Sequence, residues 1–173
     1  MKPGYRYRQS VGGFSLVELI VVIGIIGILT SIAVINFNQW LVKNRVEAQV
    51  RQMVTDLSEI RVAAFTTKQR HAVTISQSGY VFKRYSSEFE DKFTGGAIIP
   101  GKTASTTYKL KKNSTSYFGG DTYEFDHRGM QIGAKATIYL EYQNATPAVD
   151  CVTLHTMRIN QGKRNADWSC DDK

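Results

Sequence analysis

Glu18 is an acid inside an otherwise apolar segment near the amino terminus. From Phe14 to Ile35 no other residue is charged. A carboxylate in a membrane helix costs about 2.5–3.5 kcal/mol at the bilayer centre, so it is retained where it finds a partner. The nearest cation in sequence is Arg8. A cut after Gly13 would place the new amine of Phe14 within about one helical turn of Glu18 and would create a charge pair.

This charge pair has two possible geometries. Within one helix, residues four positions apart face each other, so the pair could be internal. Between packed helices, the Phe14 amine of one subunit could pair with Glu18 of the next and set their axial register. The spacing therefore predicts an internal pair or a docking contact between subunits.

The segment around Glu18 has the length and flanks of a membrane span. As a helix its apolar run would be about 33 Å long, close to the roughly 30 Å hydrocarbon core of a bilayer. Three cations and no acid precede it, at Lys2, Arg6 and Arg8. This flank should stay cytoplasmic while the rest of the chain is exported. We therefore predict a transmembrane helix over residues 14–36, with a plain signal anchor as the alternative to a processed precursor.

The helical pattern continues beyond the apolar run, because there is no Pro or Gly between Ile35 and Gly79. Six apolar residues recur at spacings of three and four: Val46, Val50, Met53, Leu57, Ile60 and Ala64. Such a stripe is typical of a helix that packs one face on a domain. Residues 37–70 are thus predicted to form the amphipathic half of the same helix. A coiled-coil stalk and a helix broken at residues 36–39 are the alternatives.

The pattern alternates after residue 70, as expected of strands rich in β-branched and aromatic residues. A hairpin through Ser78-Gly79 is predicted to join residues 73–75 to 80–85, and further strands are predicted at 107–110, 122–125, 137–142 and 151–159. The turn signals are Gly95-Gly96, Gly119-Gly120-Asp121, His127-Arg128-Gly129 and Gln161-Gly162. A long helix followed by antiparallel strands predicts an α+β fold with a globular domain over residues 71–173.

Cys151 and Cys170 are the two cysteines, and both lie in the region predicted to be exported. In an oxidising compartment they would form a disulfide that holds the tail from Asn165 and contributes about 3 kcal/mol of stability. A metal site formed by Cys151, His155 and Cys170 is the alternative, because positions 151 and 155 would share a strand face.

Catalytic motifs are absent from the sequence. His71, His127 and His155 are scattered, and no nucleophile elbow, zinc-protease motif or phosphate-binding loop occurs. A hydrophobic content of 42% excludes general disorder and supports one compact domain. We expect a structural or binding protein without enzymatic activity, cofactor or metal.

The stretch from Gly13 to Ile20 resembles the prepilin cleavage and N-methylation motif, a basic leader that ends in Gly and is followed by Phe-x-x-x-Glu. The resemblance implies that a prepilin peptidase cuts between Gly13 and Phe14, removes residues 1–13 as a leader and methylates the Phe14 amine. It also implies that Phe14 and Glu18 guide docking among other major and minor pilins or pseudopilins. The implied location is a single pass through the bacterial inner membrane, with the globular domain in the periplasm, before assembly into a fibre.

The downstream half is similar to the minor pilins and pseudopilins that include the H subunit of type II secretion and the FimT and FimU pilins. The similarity rests on residues 48–75, Tyr123 to Gly129 and Arg158 to Arg164. It implies a minor pilin of a type IV pilus that primes assembly or sits at the fibre tip. A minor pseudopilin of a type II secretion system is the alternative.

Basic residues gather near the carboxyl terminus at Arg158, Lys163 and Arg164. A solvated basic face is the ordinary interpretation of such a cluster. The turn expected at residues 162–165 also resembles the glycine-and-arginine turn through which some FimT-type pilins bind DNA during uptake, although Lys163 and Asn165 stand where that motif prefers Arg. A DNA-binding pilin, with salt-sensitive phosphate contacts from these three cations, is a further alternative.

Overall fold

The computed structural model describes residues 13–92 and 94–172, with the side chains of 32–36 excepted. Within these residues one helix precedes ten strands. The helix is α1 (Leu16–Thr67), and the strands are β1 (His71–Ser76), β2 (Gly79–Arg84), β3 (Ala97–Ser105), β4 (Leu110–Lys111), β5 (Gly119–Phe125), β6 (Gln131–Ile132), β7 (Ala136–Leu140), β8 (Cys151–Leu154), β9 (Ile159–Arg164) and β10 (Cys170–Asp172). The chain divides into two compact units, residues 1–38 and 39–173. Apart from Gly13, the predicted leader lies outside the described residues.

The first unit contains the start of α1. Every side chain described from Phe14 to Ser31 is exposed, on all sides of the helix. The hydroxyls of Thr30 and Ser31 donate hydrogen bonds to backbone carbonyls one turn back, each at 2.7 Å. Across the described part of the chain, no helix combines the length and the hydropathy that crossing a membrane requires. The span over residues 14–36 stays a prediction.

In the second unit, the remainder of α1 packs on two antiparallel five-stranded sheets. The strand order is β3-β2-β1-β5-β6 in the first sheet and β10-β9-β8-β7-β4 in the second. All six residues of the predicted helix stripe are at most 2% exposed. They meet Phe82 and Phe125 of the first sheet and Ile138 and Val152 of the second in one core. The α+β fold is confirmed.

The first sheet contains the predicted hairpin. β1 and β2 pair from His71 opposite Arg84 to Ser76 opposite Gly79, which leaves two residues in the turn. β7 and the second half of β5 also lie where strands are predicted. The turn predicted at Gly119-Gly120-Asp121 is wrong, because these residues begin β5, and of the strand predicted at 107–110 only Leu110 is in β4. The local alternation of apolar and polar residues therefore locates most of the sheet.

The sequence pattern does not predict β3, the nine-residue edge strand of the first sheet. Thr103 of β3 lies opposite Val81 of β2, and Ile98 of β3 lies opposite Lys83 of β2. Residues 99–102 of β3 therefore bulge out of the ladder. Pro100 lies in this bulge. Because proline lacks an amide hydrogen, it is tolerated in a sheet at an edge strand or a bulge. A proline in a sequence argues against a strand, so the sequence pattern does not indicate β3.

The single strand predicted at residues 151–159 is wrong. The chain forms β8 and β9, and between them the His155 N–H donates to the carbonyl of Arg158 at 2.9 Å. The turn predicted at Gln161-Gly162 is also wrong, because both residues lie inside β9. A Cβ on Gly162 would lie 2.3 Å from the Asp171 carbonyl oxygen and 2.7 Å from the Cys170 sulfur. This glycine is needed for the close approach of β10 and not for a turn.

Candidate functional site

Ser15 caps the amino terminus of α1. Its Oγ accepts a hydrogen bond from the Val17 N–H at 3.3 Å, and its carbonyl accepts one from the Leu19 N–H at 3.2 Å. Serine at this position satisfies a helical N–H that would otherwise lack a partner. Glu18 follows in the first turn, where a negative charge interacts favourably with the helix dipole.

The sequence analysis missed this cap, although its signal was present. Ser15 and Glu18 have the Ser-x-x-Glu spacing of a capping box. The charge of Glu18 in the first turn therefore also favours the start of the helix, in addition to the predicted docking role.

The predicted cleavage site leads directly into this cap. Phe14 is 83% exposed, and a Cβ added to Gly13 would meet no atom within 4 Å. Cleavage between these residues stays a prediction. The structure places Gly13, Phe14 and Glu18 together at one helix end.

An apolar surface surrounds the helix that follows. Its large side chains, such as Leu16, Ile20 and Ile28, are more than half exposed. A soluble monomer rarely exposes a continuous apolar patch above a few hundred Å². A surface of this kind is typical of a contact with lipid or with another protein.

A disulfide joins Cys151 of β8 to Cys170 of β10, with the Cα atoms 6.2 Å apart. The predicted pairing is confirmed. Because the two sulfur atoms are bonded to each other, neither can be a thiolate ligand, and the alternative metal site is excluded. Across residues 13–92 and 94–172, no group of three His, Cys, Asp or Glu side chains could hold a metal ion.

Asp172 gives the carboxyl-terminal strand a second attachment. Its carboxylate accepts hydrogen bonds from Thr153 Oγ1 at 2.6 Å and from Asn160 Nδ2 at 3.2 Å, and His155 Nε2 lies 3.1 Å away. Burial raises the pKa of Asp172, but these hydrogen bonds outweigh it and hold the pKa below its usual 3.8. Asp172 therefore stays ionised and fixes β10 to the sheet at neutral pH.

Two comparisons with known proteins bear on this arrangement. The family described as "Prokaryotic N-terminal methylation motif" matches residues 8–34. A "Probable minor fimbrial protein" of Dichelobacter nodosus is 26% identical over 106 residues, which span 61% of this chain and 60% of that protein. Both matches support a type IV minor pilin family for this chain. No solved structure matches it significantly. Members of this family are structural subunits and not enzymes, as predicted.

In the globular unit, two of the three predicted DNA-binding residues surround a buried acid. Asp150 is 1% exposed. Its carboxylate accepts hydrogen bonds from Lys163 Nζ at 3.0 Å and from the Arg164 backbone N–H at 2.6 Å. Burial lowers the pKa of Lys163, but the hydrogen bonds to Asp150 and Tyr142 raise it overall. The charge of Lys163 is thus largely compensated within its own chain.

The third predicted residue lies elsewhere. Arg158 precedes β9 and Arg164 ends it, so the two lie about 20 Å apart along an extended strand. The Arg164 guanidinium lies over the Trp168 ring, 4.5 Å from its centroid. The structure groups Lys163 with Arg164 but not with Arg158, and it places residues 162–164 in a strand where a turn was expected. DNA binding stays a prediction.

Proposed function

We propose that this minor pilin is made as a single-pass precursor in the bacterial inner membrane and then moves into a type IV pilus, where it primes assembly or sits at the tip. The observation that carries the proposal is the exposed apolar helix surface within the segment that matches the methylation motif. In the membrane, lipid chains cover this surface. In the fibre, the helices of neighbouring major and minor pilins replace them.

Processing prepares the chain for this transfer. A prepilin peptidase cuts between Gly13 and Phe14, removes the basic leader and methylates the new amine. The cut removes three cations and creates one at Phe14, next to Glu18. An acid and an amine at the same helix end give each subunit a donor and an acceptor for charge pairing.

The pair forms between subunits. In a core of apolar helices water is excluded, so an unpaired carboxylate is costly and finds its partner in the Phe14 amine of a neighbouring subunit. The pair fixes the axial position of each helix relative to the next. This register role is the best-attested use of a buried charged or polar pair.

Intact mass and amino-terminal sequencing of the chain recovered from membranes test the processing step. We expect a chain that starts at methylated Phe14 and gains two mass units on reduction of the Cys151–Cys170 bond. Cells with an inactive prepilin peptidase serve as the control and should give a chain that starts at Met1. If the chain starts at Met1 with the active peptidase, the protein is a plain signal anchor.

A pilus is favoured over a secretion pseudopilus by the description of the D. nodosus relative as a minor fimbrial protein. The match spans 60% of that relative, so it supports a minor pilin role but does not identify the type of fibre. The pseudopilus and the DNA-uptake roles stay alternative predictions.

A further inference from the structure

A cavity of about 360 Å³ lies between α1 and the turn that follows β5. It is lined by Ser58, Arg61, Val62, Phe65, Arg128 and Gly129. Ligand pockets span roughly 300–1,000 Å³, so this cavity has room for one aromatic side chain and not for a long peptide. Val62 and Phe65 form its apolar part and are 58% and 54% exposed.

The cavity is built on a close approach of backbone to helix. Gly129 has a φ of 73°, and a Cβ there would lie 2.9 Å from the carbonyl oxygen of Arg61. The Arg61 Nε donates a hydrogen bond to the Gly129 carbonyl at 2.8 Å. Asp126 Oδ1 fixes the turn by accepting hydrogen bonds from the N–H groups of Arg128 and Met130. The cavity is therefore preformed.

Two arginines, Arg61 and Arg128, line the cavity. Among the described residues, no carboxylate forms an ion pair with Arg61 or Arg128. The Lys68 ammonium lies 3.9 Å from the centroid of the Phe65 ring. An apolar floor with uncompensated cations at its rim suits an aromatic side chain flanked by acids.

The same chain displays such a group. Phe89 is 98% exposed in the loop between β2 and β3, and Glu88 and Glu90 flank it. The Glu90 carboxylate accepts hydrogen bonds from the N–H groups of Ser86 and Gly96, whereas the Glu88 side chain is 60% exposed. Glu88 Oε1 lies 2.7 Å from His127 Nδ1. His127 adjoins Arg128, so the Phe89 loop and the cavity are neighbours on one surface of the globular unit. Because Phe89 is almost fully exposed, it does not fill the cavity of its own chain.

We propose that two copies of this chain pair through this surface, each inserting Phe89 into the cavity of the other between Val62 and Phe65. A loop and a cavity side by side on one surface are self-complementary under a two-fold rotation. Glu88 of one copy, whose side chain is 60% exposed, then faces Arg61 and Arg128 of its partner. The contact is small, so it forms where copies are concentrated in one membrane. This contact therefore rests on the proposed function, in which the precursor is held in the inner membrane before assembly.

A photoreactive benzophenone analogue of phenylalanine at position 89 tests the contact in cells that make the full chain. Irradiation should give a covalent dimer whose crosslinked peptide contains residues 58–65 of the other copy. The same analogue at exposed Met157, in the turn between β8 and β9, is the matched control and should give about tenfold less dimer. A dimer yield equal to that control, a crosslink to a different pilin, or a crosslink to another segment would overturn the proposal.

A charge exchange tests the pairing itself. Arg128→Glu alone and Glu88→Arg alone should each lower the dimer yield about tenfold, because like charges then meet at both contacts. When the two single variants are produced in the same cells, a dimer of one Arg128→Glu chain with one Glu88→Arg chain has opposite charges at both contacts. The yield of this mixed dimer should therefore return to that of the unaltered chain. If it does not, the pairing is wrong. The amino terminus of each variant is sequenced in the same samples, which separates a failed contact from failed membrane processing.

Discussion

Glu18→Gln is expected to abolish incorporation of the chain into fibres while membrane insertion and the cut after Gly13 continue. Glutamine keeps the size of the side chain and its ability to accept hydrogen bonds but removes the charge. Losing one partner of a buried ion pair costs about 3–5 kcal/mol, which corresponds to a drop of at least about 100-fold in recovery from fibres. Quantitative immunoblots of sheared fibres and membranes measure both pools.

Ser15→Ala is the matched control for this prediction. It removes the helix cap, which costs about 1 kcal/mol, and leaves the charge of Glu18 in place. We expect it to enter fibres at close to the level of the unaltered chain. Normal incorporation of Glu18→Gln contradicts the docking role. Equal losses from the two variants would assign Glu18 to helix capping alone.

Asp150→Ala is expected to lower the free energy of unfolding by about 3 kcal/mol. Removing one partner of a buried ion pair costs about 3–5 kcal/mol. The Asp150 carboxylate pairs with Lys163 and also accepts hydrogen bonds from Tyr142 and the backbone of Arg164. Trp168 packs against Arg164, so its fluorescence reports the transition during urea unfolding of the detergent-solubilised chain.

Asp121→Ala is the matched control for Asp150→Ala. Asp121 also pairs with a lysine, Lys112 at 2.5 Å, but both side chains are about one-third exposed. Exposed ion pairs contribute about 0–1 kcal/mol, so this change should be small. If the two variants lose equal stability, burial of Asp150 is not what holds β9 in place.

Local periodicity explains what the sequence predicts correctly. The helix stripe from Val46 to Ala64 depends on side chains three and four positions apart, and the β1–β2 hairpin depends on alternation around a two-residue turn. The Cys151–Cys170 bond follows from two cysteines in one exported domain. Each of these features can be recognised within a short stretch or from residue type alone.

Contacts between distant segments explain what the sequence does not predict. Nothing around Asp150 in the sequence indicates that it is buried against Lys163 and Arg164, because that contact exists only once β9 joins the sheet. Gly162 looks like a turn residue until β10 lies against it. The cavity beside Arg61 likewise requires Gly129, 68 positions later, to approach the helix.

Recovery of the chain from sheared fibres tests the central claim most directly. The account predicts that the chain co-purifies with a major pilin at a copy number far below it, starts at methylated Phe14, and disappears from the fibres when the prepilin peptidase is inactive. A chain that remains entirely in the membrane fraction of piliated cells would contradict its assignment as a subunit of the pilus.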